Sequence, residues 1–256
     1  DVGITREKGI LILTETTEQG IDPITFELLG IGREIANKLN DELFGLVMGH
    51  EITEAEGFAY FGADRVYKIE NPLLKSFRAD LWVKVLEELC KKLDPEIFLL
   101  GHTQIGMDVA PRLAFRLNAK LTTDCTEVSV DRERRLLFRT KLVYGGNAYA
   151  TYAYKERPQM VTIRPKMMKP AKRDESKRGE IISYPMKIDE SFLETEFIEM
   201  VEEKEVKLDE AKVIVAGGRG VGGKRGFDLL RGLAGVLDAE VGATRAALDA
   251  GWISLD

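Results

Sequence analysis

Residues 97–117 have the sequence IFLLGHTQIGMDVAPRLAFRL, an apolar run followed by a polar turn and an amphipathic stretch. Ile97 to Leu100 are all apolar, as expected of a strand that is buried on both faces of a parallel sheet. From Val109 to Leu117 the apolar residues recur at helical spacing, which predicts a helix that ends near Asn118. A strand followed directly by a helix is the repeating unit of α/β proteins.

The same alternation extends over the first 120 residues and predicts a Rossmann-like parallel sheet. Further strands are predicted at Ile10–Leu13, Leu43–Met48 and Arg65–Ile69. Helices are predicted between the strands, at Thr25–Leu39, Thr53–Tyr60 and Ala79–Leu93.

After residue 120 the segments become shorter and alternate in polarity, which is typical of antiparallel strands. The predicted strands are Glu127–Val130, Leu136–Val143, Ala148–Tyr154 and Gln159–Arg164. Turn-forming residues separate them at Asp131–Arg134 and Gly145–Asn147. The predicted fold class is therefore α/β, with a Rossmann-like parallel sheet that is extended by an antiparallel meander.

Two shifts in charge indicate where the first domain ends. Residues 155–180 carry nine basic and four acidic side chains together with three prolines, which favours a surface arm or linker. Residues 189–210 carry ten acidic and two basic side chains. We therefore predict a first domain over residues 1–187, a linker over 188–206, and the beginning of a second α/β domain over 207–256.

The second domain begins with a predicted strand, Lys212–Ala216, a glycine-rich turn and a helix, Gly226–Leu237. Phe227, Leu230, Ala234 and Leu237 mark the buried face of this helix. A strand at Ala239–Ala243 and a short helix that ends at Gly251 follow. Because so few residues cannot bury a core alone, we expect further chain or a partner to complete this sheet.

Composition narrows the class of protein. The 256 residues are 44% apolar and 31% charged, which indicates a soluble globular protein. With 37 basic and 43 acidic residues the net charge is −6, which disfavours nucleic acid and anionic membranes as partners. The sequence lacks an apolar run of transmembrane length and an apolar N-terminal signal segment. Cys90 and Cys125 lack metal-ligand spacing, so we expect no metal site and a cytoplasmic protein.

The glycine-rich turn is the most specific chemical feature. Gly218, Gly220 and Gly223 fit the pattern GxGxxG directly between a strand and a helix, where helix amides bind a pyrophosphate. A P-loop is rejected because Arg225 replaces the hydroxyl residue that binds Mg²⁺. Glu240 lies near the spacing of the acidic residue that binds ribose. Dinucleotide binding and a merely tight turn both remain open on these grounds.

Other polar residues are weaker candidates. Thr244 and Arg245 follow the next predicted strand, at the same edge of the sheet, and capping of the helix that it opens is the alternative role of Thr244. His50 and His102 each follow a buried strand, but neither has an evident nucleophile or orienting partner. Cys125 beside Asp124 is more typical of a buried cysteine than of a nucleophile. We therefore predict no catalytic residues.

Several segments resemble the alpha subunit of electron transfer flavoproteins. Residues 101–114, GHTQIGMDVAPRLA, are similar to the family segment G-x-T-x-x-G-x-D-x-A-P-R-L-A. Thr123-Asp124-Cys125, Tyr144–Ala148, Arg157–Met160 and Arg164-Pro165 resemble its later landmarks. Gly217–Gly220 together with Val241–Gly251 resembles the opening of the family's FAD-binding domain, and this match is the most specific one.

This resemblance implies a scaffold domain that pairs with a homologous beta subunit, and a second domain that holds FAD. It implies FAD contacts from Gly218, Arg219, Gly220, Thr244 and Arg245, where Arg245 would lie over the flavin ring. A cation there raises the flavin potential by stabilising negative charge on the reduced ring. Ala216 stands where the family often has Ser, and the family's later flavin motifs are not in these 256 residues, so the contacts are a partial set.

The leading hypothesis is an electron-carrier subunit that exchanges electrons with a flavin-dependent dehydrogenase through FAD, in some settings within an electron-bifurcating complex. Such a carrier requires no general acid or base. One alternative is a fragment of an NAD-dependent dehydrogenase built on Gly218–Gly223. Another is a structural or nucleotide-binding scaffold with no redox role.

Overall fold

The computed structural model describes residues 9–17, 20–53, 55–198, 208 and 211–254. The chain divides into two compact units, Asp1–Phe197 and Ile198–Asp256. Residues 199–206 of the predicted linker, 188–206, lie outside the described residues. The domain boundary near residue 207 therefore stays a prediction.

The first unit contains twelve strands among its described residues. They are β1 (Gly9–Leu13), β2 (Thr16–Thr17), β3 (Gly20–Ile21), β4 (Glu42–Gly49), β5 (Arg65–Glu70), β6 (Ile97–Gly101), β7 (Leu121–Cys125), β8 (Glu127–Asp131), β9 (Leu136–Val143), β10 (Ala148–Tyr152), β11 (Gln159–Ile163) and β12 (Glu180–Ser183). Seven of them form a parallel sheet in the order β12-β5-β4-β1-β6-β11-β7. Strands β8, β9 and β10 form a separate antiparallel sheet.

The helices of the first unit are α1 (Pro23–Leu39), α2 (Ala55–Tyr60), α3 (Ala79–Leu93) and α4 (Gln104–Arg116). Alternate residues of β1 point to opposite faces of the sheet, so the core has two layers. Ile10 and Ile12 pack with α1 and α2 on one face. Leu11 and Leu13 pack with α3 and α4 on the other.

The predicted α/β class and the four predicted parallel strands in the first 120 residues are confirmed by β1, β4, β5 and β6. Helix α3 has the predicted bounds, whereas α4 begins five residues before the predicted start at Val109. The hydroxyl of Thr103 accepts a hydrogen bond from the amide of Gly106 at 3.1 Å and so caps α4 early. Asn118 has the left-handed backbone expected after the helix.

One strand assignment was wrong. Gln159–Arg164 was predicted to be the last antiparallel strand, but β11 lies between β6 and β7 and is parallel to both. All five residues of β11 are buried, as a strand covered on both faces requires. The other three predicted strands form their own sheet beside the parallel one. The sequence did not predict strands β7 and β12. Strand β7 is rich in polar residues, and β12 follows a strongly charged segment, so neither shows the apolar pattern of a buried strand.

The second unit contains β13 (Ile214–Gly217), α5 (Lys224–Leu237), β14 (Glu240–Ala243) and α6 (Arg245–Asp249). Strands β13 and β14 are parallel neighbours, as the predicted strand–helix–strand pattern requires. Phe227 and Ala234 are buried as predicted, whereas Leu237 is 48% exposed. Two strands offer too little surface to cover the whole apolar side of α5. Within the described ranges, no helix is both long enough and apolar enough to cross a membrane.

Candidate functional site

The two predicted loops of the second unit meet at the carboxyl edge of its sheet. Gly217 ends β13 and is paired in register with Ala243 at the end of β14. The amide of Thr244 donates a hydrogen bond to the carbonyl oxygen of Gly217 at 2.9 Å. A Cβ added to Gly218 would lie 3.4 Å from the Thr244 hydroxyl oxygen. The structure therefore brings the glycine-rich turn and the Thr244 loop into direct contact.

Glycine is required in this turn by the backbone conformation. Gly222 and Gly223 have φ values of 80° and 141°, which side chains with a Cβ rarely adopt. Gly223 is the N-cap of α5 and offers no side chain, so no side chain caps the amides of the first helical turn. A Cβ on Gly220, Gly222 or Gly223 would meet no atom within 4 Å, so open space lies beside the turn. Uncapped amides at a helix N-terminus, next to open space, favour an anionic phosphate group.

Two further glycines serve the packing of α5, and sequence reasoning did not assign them. A Cβ on Gly217 would lie 2.4 Å from Leu230, and one on Gly226 would lie 2.1 Å from Val221. At Gly226 the Cβ would also lie 2.3 Å from the Val221 carbonyl oxygen, so a side chain does not fit there, whereas at Gly217 the side chains of Leu230 and Phe227 would have to move. Gly217 and Gly226 therefore let the helix approach the strand and the turn, and so they fix the position of the helix N-terminus.

The polar side chains around the turn are available for a ligand. Thr244 is the N-cap of α6 but makes no side-chain capping hydrogen bond, so the interpretation that it serves only as a cap is not supported. The Arg245 side chain is 92% exposed and its ion pair with Asp249 is long, 3.8 Å. Arg219 is exposed and has no ion pair with any carboxylate in the described part of the chain. A hydroxyl donor and two cations thus accompany the uncapped amides.

Glu240 does not have the place that ribose recognition requires. It is the first residue of β14 and pairs with Ile214 at the start of β13. Three residues of extended chain, roughly 10 Å, separate it from the edge where the glycine-rich turn lies. The pattern GxGxxG is therefore not accompanied by the acidic residue of a nicotinamide dinucleotide site.

A buried carboxylate lies at the crevice of the first unit's parallel sheet. In open α/β sheets a ligand binds where neighbouring strands send their connections in opposite directions, which here is between β1 and β6. The Glu15 carboxylate lies at this point, is 3% exposed, and accepts a hydrogen bond from the Thr103 hydroxyl at 2.9 Å. Burial raises the pKa of Glu15 to about 7, although the Thr103 hydrogen bond opposes the shift. Sequence reasoning missed Glu15, because no motif marks it.

His102 belongs to a polar network at the same edge of the first sheet. Its Nδ1 lies 2.9 Å from the Thr162 hydroxyl, and its Nε2 lies 3.8 Å from an oxygen of Asp124. Arg164 donates two hydrogen bonds of 2.8 Å to the Asp124 carboxylate. Burial lowers the pKa of His102, and the hydrogen bond from Arg164 lowers the pKa of Asp124. The network ties β6, β7 and β11 together, while His50 is an exposed residue at the end of β4 and does not join it.

The cysteines have the buried positions that favour a structural role. Cys125 is fully buried and burial raises the pKa of its thiol to about 11, so the thiolate is scarce near neutral pH. Cys90 is also a free, buried cysteine whose thiol pKa is raised by burial. Across the residues that the structure describes, no group of three His, Cys, Asp or Glu side chains could hold a metal ion.

Comparisons with known proteins agree for both units. The model of the electron transfer flavoprotein domain matches residues 10–188, and that of the electron transfer flavoprotein FAD-binding domain matches residues 207–256. The electron transfer flavoprotein subunit alpha of Thermoanaerobacterium thermosaccharolyticum is 41% identical over 253 residues, covering 97% of this chain and 76% of the relative. The same subunit of Megasphaera elsdenii is 36% identical over 252 residues, covering 96% and 75%. Protein FixB of Azotobacter vinelandii is 36% identical over 260 residues, covering 97% and 71%.

Proposed function

The chain belongs to the electron transfer flavoprotein family as an alpha subunit, and from this premise we propose that Gly218, Arg219, Gly220, Thr244 and Arg245 form part of its FAD site. The family membership establishes an electron-transfer flavoprotein subunit with FAD as its cofactor and a beta subunit as its partner. The observation that carries the residue assignment is the direct contact of the two loops, in which the Thr244 amide donates a hydrogen bond to the Gly217 carbonyl oxygen at 2.9 Å, next to open space at Gly220.

The residues present fit the chemistry of FAD. The cofactor carries a diphosphate, and the uncapped amides at the N-terminus of α5 are suited to bind it. Gly218 and Gly220 have no side chain that would block the diphosphate. Arg219 adds a positive charge and N–H groups that donate hydrogen bonds to phosphate oxygens. The Thr244 hydroxyl is free to donate a hydrogen bond, because it is not used as a cap.

Arg245 would tune the cofactor rather than hold it. When bound, FAD supplies electron transfer in single-electron or two-electron steps. A guanidinium near its ring stabilises negative charge on the reduced form and so raises the potential. The weak intramolecular ion pair of Arg245 leaves its charge available for this role.

We further propose that residues 1–187 act as the scaffold domain, that 188–206 link the domains, and that 207–256 begin the FAD-binding domain. Electrons would pass between FAD and a flavin-dependent dehydrogenase, and an electron-bifurcating complex is one setting for this transfer. A cytoplasmic location is supported by the two cysteines, which are both free thiols. The position of Glu240 at the wrong end of β14 argues against the fragment of an NAD-dependent dehydrogenase.

The test is the flavin potential of the alpha–beta complex with Arg245→Ala. We expect Arg245→Ala to lower the two-electron potential of the flavin by at least about 30 mV, equivalent to about 1.4 kcal/mol. Arg245→Lys keeps the positive charge and is expected to lower the potential much less. Arg231→Ala, which removes an exposed arginine of α5 that pairs with Asp228, is the matched control. An unchanged potential in Arg245→Ala would remove the role assigned to this residue.

Binding of FAD tests the remaining residues separately. Thr244→Val deletes one hydroxyl and is expected to weaken FAD binding about two- to tenfold, as the loss of one hydrogen bond does. Fluorescence of released FAD after dilution measures this change. Equal retention of FAD by Thr244→Val and the unmodified complex would show that the hydroxyl does not contact the cofactor.

A further inference from the structure

Residues 164–180, which we call the strap, lie across the outer side of the first unit. The carboxylate of Glu27 on α1 is 6% exposed and accepts hydrogen bonds from the amides of Lys166 and Met168 at 2.8 and 2.9 Å. A Cβ on Gly30 would lie 2.3 Å from the carbonyl oxygen of Lys169. The helix thus carries a glycine where the strap crosses it, and a buried carboxylate holds the strap backbone.

The strap is also attached further along its length. The amide of Ala171 donates to the carbonyl oxygen of Phe26 at 2.8 Å, and the amide of Asp174 donates to that of Tyr60 at 2.8 Å. After residue 180 the chain joins the edge of the parallel sheet as β12. The sequence predicted a surface arm or linker here, and the structure shows a segment fixed to α1 and α2 by backbone hydrogen bonds.

The strap concentrates positive charge on an acidic protein. Between residues 166 and 178 it has six cationic side chains against two carboxylates, whereas the whole chain has 37 against 43. All six cations are exposed: Lys166, Lys169, Lys172, Arg173, Lys177 and Arg178. Like charges at this density repel one another, so their arrangement costs stability unless another molecule compensates it.

Three lysines of the strap have no carboxylate partner among the described residues. Arg173 lies 3.4 Å from Glu175, but Lys169, Lys172 and Lys177 form no ion pair with a carboxylate in the ranges that the structure describes. On α3 of the same unit, by contrast, Lys91 is paired with Glu87 at 2.6 Å and Lys92 with Glu88 at 3.0 Å. What sets the strap apart is therefore the density of its cations, six within 13 residues, rather than the lack of an ion pair at any one of them.

Two guanidinium groups of the strap are held in place by an aromatic ring. The guanidinium carbon of Arg173 lies 5.3 Å from the centroid of the Tyr60 ring, and that of Arg178 lies 5.8 Å from it. Contacts of this kind restrict long side chains and reduce the entropy that they lose on binding.

Two cavities adjoin the strap and share Arg33 and Lys177. One has a volume of about 580 Å³ and combines Phe61 and Met167 with Lys169 and Lys172. The other, of about 570 Å³, is polar and includes Arg178. Because Arg33 is already paired with Asp64 at 2.6 Å, the lysines and Arg178 supply the uncompensated charge.

We propose that the strap and its two cavities are a docking surface for an acidic protein segment, with carboxylates against Lys169, Lys172 and Lys177 and apolar side chains against Phe61 and Met167. The mixed chemistry favours a protein over other polyanions. Asp174 and Glu175 lie within the strap, and they would repel the continuous charge of a nucleic acid or an anionic membrane. A protein segment can place its carboxylates at intervals that avoid them. This proposal does not depend on the FAD site.

The test uses the purified alpha–beta complex and a fluorescein-labelled peptide that repeats the sequence Glu-Glu-Ala-Leu. Fluorescence anisotropy measures binding at about 50 mM and about 200 mM salt, since screening shortens the range of charge interactions. The strap variant combines Lys169→Glu, Lys172→Glu and Lys177→Glu. The matched control combines Lys120→Glu, Lys155→Glu and Lys187→Glu, which change the net charge equally at other exposed lysines.

We expect the strap variant to bind the peptide about tenfold or more weakly, and the control variant to bind it within about twofold of the unmodified complex. A second strap variant with Gln at the same three positions should lie between them, and it remains informative if charge reversal disturbs folding. Equal loss in the strap and control variants would overturn the proposal, because it would reflect net charge alone. It would also be overturned if vesicles containing phosphatidylserine, or single-stranded oligothymidylate, bound the strap as tightly as the peptide does.

Discussion

Replacing the Glu15 carboxyl by an amide is predicted to make the stability of the first unit less dependent on pH. Burial raises the pKa of Glu15 from 4.5 to about 7 in the folded chain. The folded state therefore retains this proton between about pH 4.5 and 7 while the unfolded state loses it, so the stability contributed by the proton falls as the pH rises from about 4.5 to about 7 and is absent above that. The change in pKa corresponds to at most about 3 kcal/mol.

Glu15→Gln keeps the acceptor for the Thr103 hydroxyl and removes the ionisation. We expect the variant to match the unmodified protein near pH 5 and to be more stable near pH 8, by up to about 3 kcal/mol. Asp22, the like charge that also raises the pKa of Glu15, is present in both proteins. The opposite pH dependence of His102, whose pKa is lowered by burial, is likewise common to both and cancels in the difference.

Urea unfolding followed by the fluorescence of Trp82 measures this difference, with Trp252→Phe in the background so that only the first unit reports. Glu133→Gln, at an exposed position, is the control for loss of a carboxylate. A difference between Glu15→Gln and its parent that is the same at pH 5 and pH 8 would refute the reasoning.

Three other changes test the packing of the first unit by the same urea assay. Glu96 is 1% exposed and is paired with two arginines, so Glu96→Ala is expected to destabilise the unit by about 3–5 kcal/mol. The control is Glu88→Ala, which breaks a surface ion pair with Lys92 and is expected to cost less than about 1 kcal/mol. Equal costs would contradict this expectation. A Cβ on Gly106 would lie 1.8 Å from a carbonyl oxygen, so Gly106→Ala is expected to destabilise the unit by about 3 kcal/mol or more. Gly57 has open space beside it, and Gly57→Ala is expected to raise stability by about 0.5–1 kcal/mol. A tolerated Gly106→Ala would show that α4 can shift. The guanidinium of Arg139 is fully buried, lies 5.2 Å from the centroid of the Tyr154 ring and has no hydrogen-bond partner among the described residues, and burial lowers its pKa to about 10. Because its N–H groups lack acceptors there, Arg139→Met is expected to stabilise by about 1–3 kcal/mol, and a loss of stability would show that the ring contact outweighs the missing hydrogen bonds.

Local sequence patterns determined the elements whose burial is complete or strictly periodic. The apolar runs of β1, β4 and β6 predict strands by themselves, because a strand covered on both faces has no polar side to show. The amphipathic period of α3 gave its bounds without error, since one face packs on the sheet and the other meets water. The glycine-rich turn between β13 and α5 was likewise visible, because positive φ values restrict the residue type.

Only the tertiary structure decided which segments became neighbours. The sequence of β11 fits an antiparallel edge as well as a central parallel strand, and its place between β6 and β7 depends on residues distant in the chain. The raised pKa of Glu15 arises because β1 and α4 meet around it, and the course of the strap depends on Glu27 and Gly30 on α1. A local pattern records whether a side chain prefers water or the core, whereas pairing, close approach and pKa depend on distant residues that meet only after folding.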